Sequence, residues 1–358
     1  MDMRFWNGKR VFLTGHTGFK GSWLCRILVK MGVELTGYAL APPTIPNLFS
    51  LCDVKGRMDS IIGDIRDRES LFAALNKSRP DIVIHMAAQP LVKTSYIDPA
   101  YTYEVNVMGT INVLEGVRTC NGVRSLLNIT TDKVYRNNEW EWGYREIDPL
   151  DGFDPYSNSK SCSELVTRCY KESFLAGCGV AVSTARAGNV IGGGDFAPNR
   201  IIPDCIRAAS KKESIIVRNP RATRPYQHVL EPLFAYLMIA QSQYEDALFS
   251  DCYNVGPDDC DCASTGRLVD LFCSIWGEGQ KWEHISTDGP HEAKLLKLDC
   301  SKIKSVFDWK PRWNIKKAVE KTVEWTKMYL NGYEDIGMVM DAQIDEFTES
   351  DGVEIYGK

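Results

Sequence analysis

A chain of 358 residues is about two domains long at the usual prior of about 150 residues each. Its 42 basic and 47 acidic side chains leave a formal charge of −5, and 44% apolar with 25% charged residues supplies material for a large core. Without a basic excess, neither nucleic acid nor an anionic membrane surface is expected as a partner.

The longest stretch free of Asp, Glu, Lys and Arg, Leu35 to Cys52, contains Pro42, Pro43 and Pro46, which a spanning helix would not carry together. The opening residues MDMRFWNGKRVFLTG lack a continuous apolar run before a small-residue site, so no signal peptide is expected. Twelve cysteines are scattered without any CxxC. The nearest group, Cys252, Cys260 and Cys262, has no His at zinc-ligand spacing. The expectation is a cytoplasmic chain with free thiols and no metal.

In chain order, short apolar runs alternate with helical patterns from the start, as in stacked βαβ units around a mainly parallel sheet. The pattern predicts strands over Arg10–Thr14, Glu34–Tyr38, Ser60–Ile62, Asp81–His85, Leu126–Thr130 and Val180–Arg186. Helices are predicted near Gly21–Met31, Arg68–Lys77, Pro99–Thr119 and Tyr156–Leu175. Gly32 stands where a left-handed cap ends the first helix, and Asp67 where a side-chain cap begins the second.

The regularity fades after about residue 187. The expected fold is α/β, a Rossmann-type doubly wound parallel sheet with a smaller, interleaved C-terminal lobe. Residues 1–187 are expected to form the sheet domain, 229–257 to return to it, and 188–228 with 258–330 to form the lobe. Residues 334–358 carry eight acids against the single Lys358, hence −7, and the remaining 41 cations against 39 acids give +2. Residues 331–358 are therefore read as an acidic tail, solvated rather than docked.

Gly15, Gly18 and Gly21 form GHTGFKG directly after the first strand and open the first helix. The first allows a sharp turn, the second lets backbone N–H groups approach a pyrophosphate, and the third allows close helix–strand packing. The second strand ends Gly37-Tyr38-Ala39-Leu40 with no acid and no nearby Arg, so the usual NAD-versus-NADP test is silent. Asp64 after the third strand fits either an adenine-contacting loop or a simple turn cap.

Tyr156 and Lys160, in YSNSK, share one helix face at i, i+4. A neighbouring ammonium favours the phenolate, which suits a tyrosine general acid/base. Their helix follows a strand ending Thr130-Thr131-Asp132-Lys133, and strand C-terminal ends are where open α/β sheets bind ligands.

The combination resembles the extended short-chain dehydrogenase/reductases, and more narrowly the nucleotide-sugar 4,6-dehydratases, over about residues 8–330. The resemblance rests on GHTGFKG, GDIRD (63–67), HMAAQ (85–89), VNVMGT (105–110), TTDKVY (130–135), YSNSK (156–160), RAGNVIGGGD (186–195), RPYQHV (224–229) and YNVGP (253–257). It implies an NAD site made by Gly15, Thr17, Gly18, Phe19, Gly21, Asp64, Ile65, Ala87, Ala88, Gln89, Asn106, Tyr156 and Lys160. It implies a nucleotide-sugar substrate whose diphosphate side faces Asn189, Arg200, Arg224 and Asn254, with Arg221 able to exchange roles with Arg224.

The resemblance further implies a redox cycle in which Tyr156, assisted by Lys160 and Thr131, handles the C4 hydroxyl proton. Asp132 would protonate the departing C6 hydroxyl. Where many relatives carry Glu, this chain has Lys133, which is either the C5 base or an electrostatic stabiliser of the enolate. A nucleotide-sugar epimerase and a non-catalytic dinucleotide-binding regulator are the alternatives. The family also implies a homodimer or higher homo-oligomer, built on the helices near 99–119 and 156–175.

Overall fold

The computed structural model describes residues 1–285 and 293–349. Seven parallel strands form the central sheet: β1 (Arg10–Thr14), β2 (Glu34–Ala39), β3 (Asp59–Ile62), β4 (Ile82–His85), β5 (Ser125–Ile129), β6 (Ala181–Ala187) and β7 (Cys252–Val255). Their order, β7-β6-β5-β4-β1-β2-β3, reverses direction at β1 and β4, so the connecting helices cover both faces. This is the expected doubly wound sheet. Strand β7 enters from far along the chain and pairs with β6 in parallel, Asn254 opposite Arg186.

The longer helices are α1 (Phe19–Lys30), α2 (Arg68–Ser78), α3 (Pro99–Tyr103 continuing through the π turn Glu104–Met108 into Gly109–Thr119), α4 (Pro155–Tyr170), α5 (Ile201–Ser210), α6 (Leu230–Glu245), α7 (Thr265–Trp276), α8 (Ile315–Leu330) and α9 (Ile336–Glu349). Asp67 caps α2 by accepting from the Ser70 N–H, as its position before the helix predicts. Helix α4 ends in a second π turn, Lys171–Leu175, so both helices expected to run without a break carry one wide turn.

One apolar cluster lies on the sheet face covered by α1, α6 and α9, and another on the face covered by α2 and α3. Helix α6 is apolar nearly all round because it is enclosed on every side; Leu230, Leu233, Leu237 and Ile239 are each 0% exposed. A third cluster, with Cys205, Leu268, Phe272 and Val319, belongs to α5, α7 and α8. Among the described residues no helix is long and apolar enough to cross a membrane.

The acidic C-terminal stretch departs from its solvated reading. Within it, α9 buries Ile336, Met340, Ile344 and Phe347 at helical spacing. Its acids meet cations of neighbouring helices: Asp341 pairs with Arg26 of α1 at 2.6 Å, Asp345 with Lys30 at 2.9 Å, and Glu346 with Lys317 and Lys321 of α8. Net charge hid an amphipathic helix, because a count of acids carries no information about the apolar face opposite them. Residues 350–358 of the expected tail lie outside the described residues.

Candidate active site

The glycine loop is built by backbone contact. Gly15 has φ +80°, and a Cβ there would stand 2.7 Å from the Ala87 backbone nitrogen, in the loop that follows β4. A Cβ on Gly21 would collide with the Gly15 carbonyl oxygen. Gly18 occupies the N-cap of α1 and supplies no side-chain cap to the first-turn N–H groups. That donor set suits a pyrophosphate, and the residues present fit a dinucleotide.

Other expected cofactor residues shape this loop. The Thr17 hydroxyl donates to the Leu40 carbonyl at 2.8 Å. The Gln89 N–H donates to Asn106 Oδ1 at 2.8 Å, and Asn106 Nδ2 donates to the Gln89 carbonyl and to Ser159 Oγ of α4. Gln89 and Asn106 therefore tie the loop, which includes half-buried Ala87 and Ala88, to both α3 and α4. Ile65 is buried, and Asp64 accepts from the Arg66 N–H and guanidinium, the closer contact at 2.7 Å. The turn-cap reading of Asp64 thus matches its bonds.

At the end of β5 the chain turns through Thr131, Asp132 and Lys133, opposite the start of α4. Asp154 caps α4 through the Ser157 N–H with Pro155 at its first turn, which aims Tyr156 and Lys160 at β5. The Thr131 hydroxyl donates to Asp132 Oδ1 at 2.9 Å. Lys133 Nζ donates to the same Oδ1 at 3.2 Å and to Asn189 Oδ1 at 3.4 Å. Asp132 Oδ2 is buried without a hydrogen-bond partner among the described residues.

Lys160 Nζ donates to the Ile129 carbonyl at 3.2 Å. Burial pushes its pKa down to about 7, with the nearby Lys20 adding to the effect. Burial also pushes the Tyr156 phenol up to about 12, partly offset by the neighbouring Thr131 hydroxyl. The expected acidification of Tyr156 by Lys160 is therefore not the dominant effect. Side by side in a dry site, each group pays desolvation on its charged form. One turn beyond Lys160, buried Glu164 accepts from Thr184 at 2.7 Å and Arg186 at 2.9 Å and also holds Thr130, which locks α4 to the ends of β5 and β6.

A cleft of about 320 Å³ opens above these residues. Phe19, Thr131, Asp132, Lys133, Tyr156, Asn189 and Arg200 line it, so the structure brings these predicted residues together. Arg200 pairs there with Asp195 at 2.9 Å. Arg224 and Asn254 do not line it. Arg224 is 3% exposed and donates to the Thr223 and Ala293 carbonyls. Asn254 has both ends of its amide engaged: Oδ1 accepts from Tyr135 at 2.6 Å, and Nδ2 donates to the Tyr144 and Asp299 carbonyls.

Two cleft cations escaped the sequence reading. Lys20, inside GHTGFKG, lines the cleft, and burial lowers its pKa to about 8, with Arg200 adding to the effect. Its place in the glycine motif was the available signal. Arg218 also lines the cleft and had none. A second cavity, of about 340 Å³, shares no lining residue with the first and contains no predicted site residue.

Comparison with known proteins follows the same lines. The family model described as GDP-mannose 4,6 dehydratase matches residues 12–322. A CDP-glucose 4,6-dehydratase of Salmonella typhimurium (strain LT2) is 47% identical over 353 residues, 97% of this chain and 98% of that protein. Among solved structures, a UDP-glucose 4-epimerase from Thermotoga maritima with UDP-glucose superposes with TM-score 0.79 at 20% identity, covering 89% of this chain and 99% of that one. A dTDP-glucose 4,6-dehydratase from Bacillus anthracis in complex with NAD gives 0.76 at 19% identity, covering 91% and 99%. The two structures share the fold. The sequence matches go further, and by both of them the chain belongs to the GDP-mannose 4,6 dehydratase family.

Proposed function

We propose that this chain is a lyase that converts CDP-glucose to CDP-4-keto-6-deoxyglucose and water by an internal NAD-dependent redox cycle. The observation that carries the reaction type is the buried Asp132 carboxylate, one oxygen unpartnered, beside Lys133 and across from Tyr156. An epimerase needs the Tyr–Lys pair but no acid and base aimed at C5 and C6. CDP-glucose is favoured by the 47% identical relative, which carries that name. The glycine loop and the Tyr156–Lys160 face would hold the dinucleotide, whose nicotinamide supplies reversible hydride acceptance.

In this reading Tyr156 takes the C4 hydroxyl proton and Thr131 hydrogen-bonds the same oxygen. The 4-keto group acidifies the C5 hydrogen. With the proton they share placed on Asp132, Lys133 is a neutral amine held between Asp132 and Asn189 that removes the C5 proton, and the Asp132 carboxyl protonates the departing C6 oxygen. Asn189 and Arg200 bind the diphosphate side, where a guanidinium can donate two parallel hydrogen bonds. Residues 188–228 and 258–330 act as the substrate lobe over the sheet.

A panel of CDP-, dTDP-, GDP- and UDP-glucose, assayed for alkali-absorbing keto-sugar, tests the reaction and the nucleobase together; no keto-sugar from CDP-glucose overturns it. Lys133→Ala is expected to retain C4 oxidation while slowing C5 hydrogen–solvent exchange about 10²-fold, followed by deuterium incorporation. Full exchange in that variant removes Lys133 from the base role.

We extend the reading to a homodimer formed through α3 and α4, whose outer faces expose Met108 (52%) and Leu165 (47%). Sedimentation at micromolar concentration is expected to report the dimer, and a monomer would overturn it.

A further inference from the structure

A nucleotide sugar is a hexose, a diphosphate and a nucleoside in fixed order, and the inference here rests on the nucleotide-sugar reading above. The hexose belongs at Tyr156, Asp132 and Lys133. Asn189, bonded to Lys133 Nζ at 3.4 Å, lies next to that end and shares the cleft with Arg200, so the diphosphate follows there. The nucleoside then reaches the wall that residues 216–219 add to the same cleft. This wall comes from the short strand Ile215–Val217 and the turn after it. The strand pairs in parallel with Trp282–His284 and packs on α5.

Strand alternation sorts the side chains of this wall. Ile215 and Val217 are 0% exposed and join the cluster of α5, α7 and α8, while Ile216 is 43% exposed and stands outside it. Ile216 and Arg218, two residues apart, leave the same side of the chain, and both line the cleft. Ile216 thus offers an apolar face to a ligand rather than to the core. Nearby, the Tyr226 and Thr265 hydroxyls engage each other at 3.1 Å. Of the two guanidinium groups lining the cleft, Arg200 is paired with Asp195, whereas Arg218 has no hydrogen bond or ion pair among the described residues.

We propose that Arg218 is the residue that reads the nucleobase, with the ring lying on Ile216. A guanidinium presents two parallel N–H groups in one plane. Cytosine matches them with two adjacent acceptors, N3 and O2. Uracil and thymine carry N3–H at that edge, which sets a donor against a donor and leaves the fork one carbonyl at a time. Guanine has an acceptor pair of its own in O6 and N7, so the fork separates cytosine from the other pyrimidines and not from guanine. A matched pair of this kind discriminates by about 10- to 100-fold. The cytidine preference, carried above by a relative's name alone, thereby gains a side chain.

The test measures direct binding of CMP and of UMP to the full chain loaded with NAD, by calorimetry, in wild type, Arg218→Lys and Arg218→Ala. Wild type is expected to bind CMP about 30-fold more tightly than UMP. Arg218→Lys keeps the charge and loses the fork, so the preference should fall to about threefold or less, through weaker CMP binding with UMP little changed. Arg218→Ala should lose the preference in the same way. A lysine variant that keeps the wild-type preference overturns the inference, as does an alanine variant that weakens CMP and UMP by the same factor, the mark of a phosphate contact. Wild-type protein with no preference for CMP overturns it too. The panel of four nucleotide sugars reads separately: absence of keto-sugar from CDP-glucose sinks the reaction, whether or not CMP binding depends on Arg218.

Discussion

Tyr156→Phe is expected to lower kcat about 10³-fold while leaving nucleotide-sugar and NAD affinity nearly unchanged. The phenol oxygen is the only atom removed. The ring stays in its buried place at the start of α4, and the caps by Asp154 and Pro155 are untouched. Thr131 keeps its hydrogen bond to Asp132, so the neighbouring acid stays oriented. The block falls at the first step, and rapid mixing with substrate should therefore show no near-ultraviolet band of reduced nicotinamide. A variant that still builds up that band would move Tyr156 out of the C4 proton transfer.

Asp132→Asn should produce the opposite signature at a similar cost, about 10² to 10³-fold in kcat. An amide of the same shape can still accept from Thr131 and Lys133 through its oxygen, but it has no acid proton to give to the C6 oxygen. Oxidation at C4 then proceeds and elimination stalls, so the band of reduced nicotinamide should accumulate on mixing. The substitution is close to isosteric in a site where Asp132 is fully buried, and its second oxygen has no protein partner to lose. Lys133 would lose its ion pair, and with its side chain 29% exposed it keeps some access to water. A rate within tenfold of wild type would assign the acid to another group.

Taken together, the two variants locate the steps on either side of the keto intermediate. They also bear on the titration of the site. Tyr156 is held up near 12 and Lys160 down near 7, so neither is charged as easily as its free side chain. Both shifts have burial as their first cause, and both fall when an ion or dipole of suitable sign enters the cleft. Burial, more than the lysine–tyrosine spacing, therefore sets the charge preference of both groups.

Local spacing made much of this protein legible before its structure. The alternation of apolar runs and helical patterns specified the strands that build a doubly wound sheet, because a buried parallel strand and its covering helix each leave a periodic trace. GHTGFKG and YSNSK were readable for the same reason: a turn needing φ above zero and a helix face at i, i+4 are properties of adjacent residues. The Thr131-Asp132-Lys133 run was readable from its place at the end of a strand.

Only the tertiary structure decided the rest. Whether a polar side chain is a ligand group or an internal strut depends on atoms from distant segments. Asn254 spends its amide on Tyr135, Tyr144 and Asp299, between 45 and 119 residues away, and a sequence window carries no record of that. Arg224 meets the Ala293 carbonyl across 69 residues, while Lys20 turns from the glycine motif into the cleft. The acidic C-terminal stretch shows the same limit from the side of charge. Its acids and apolar residues alternate on one helix, and only the cations of α1 and α8 show which surface it covers. The sequence by itself determined the elements and the chemical groups at the strand ends, since those follow from short-range sterics and periodicity. Which groups share the cleft, and which are held as struts, was decided by long-range packing, where burial selects the partner of every polar atom.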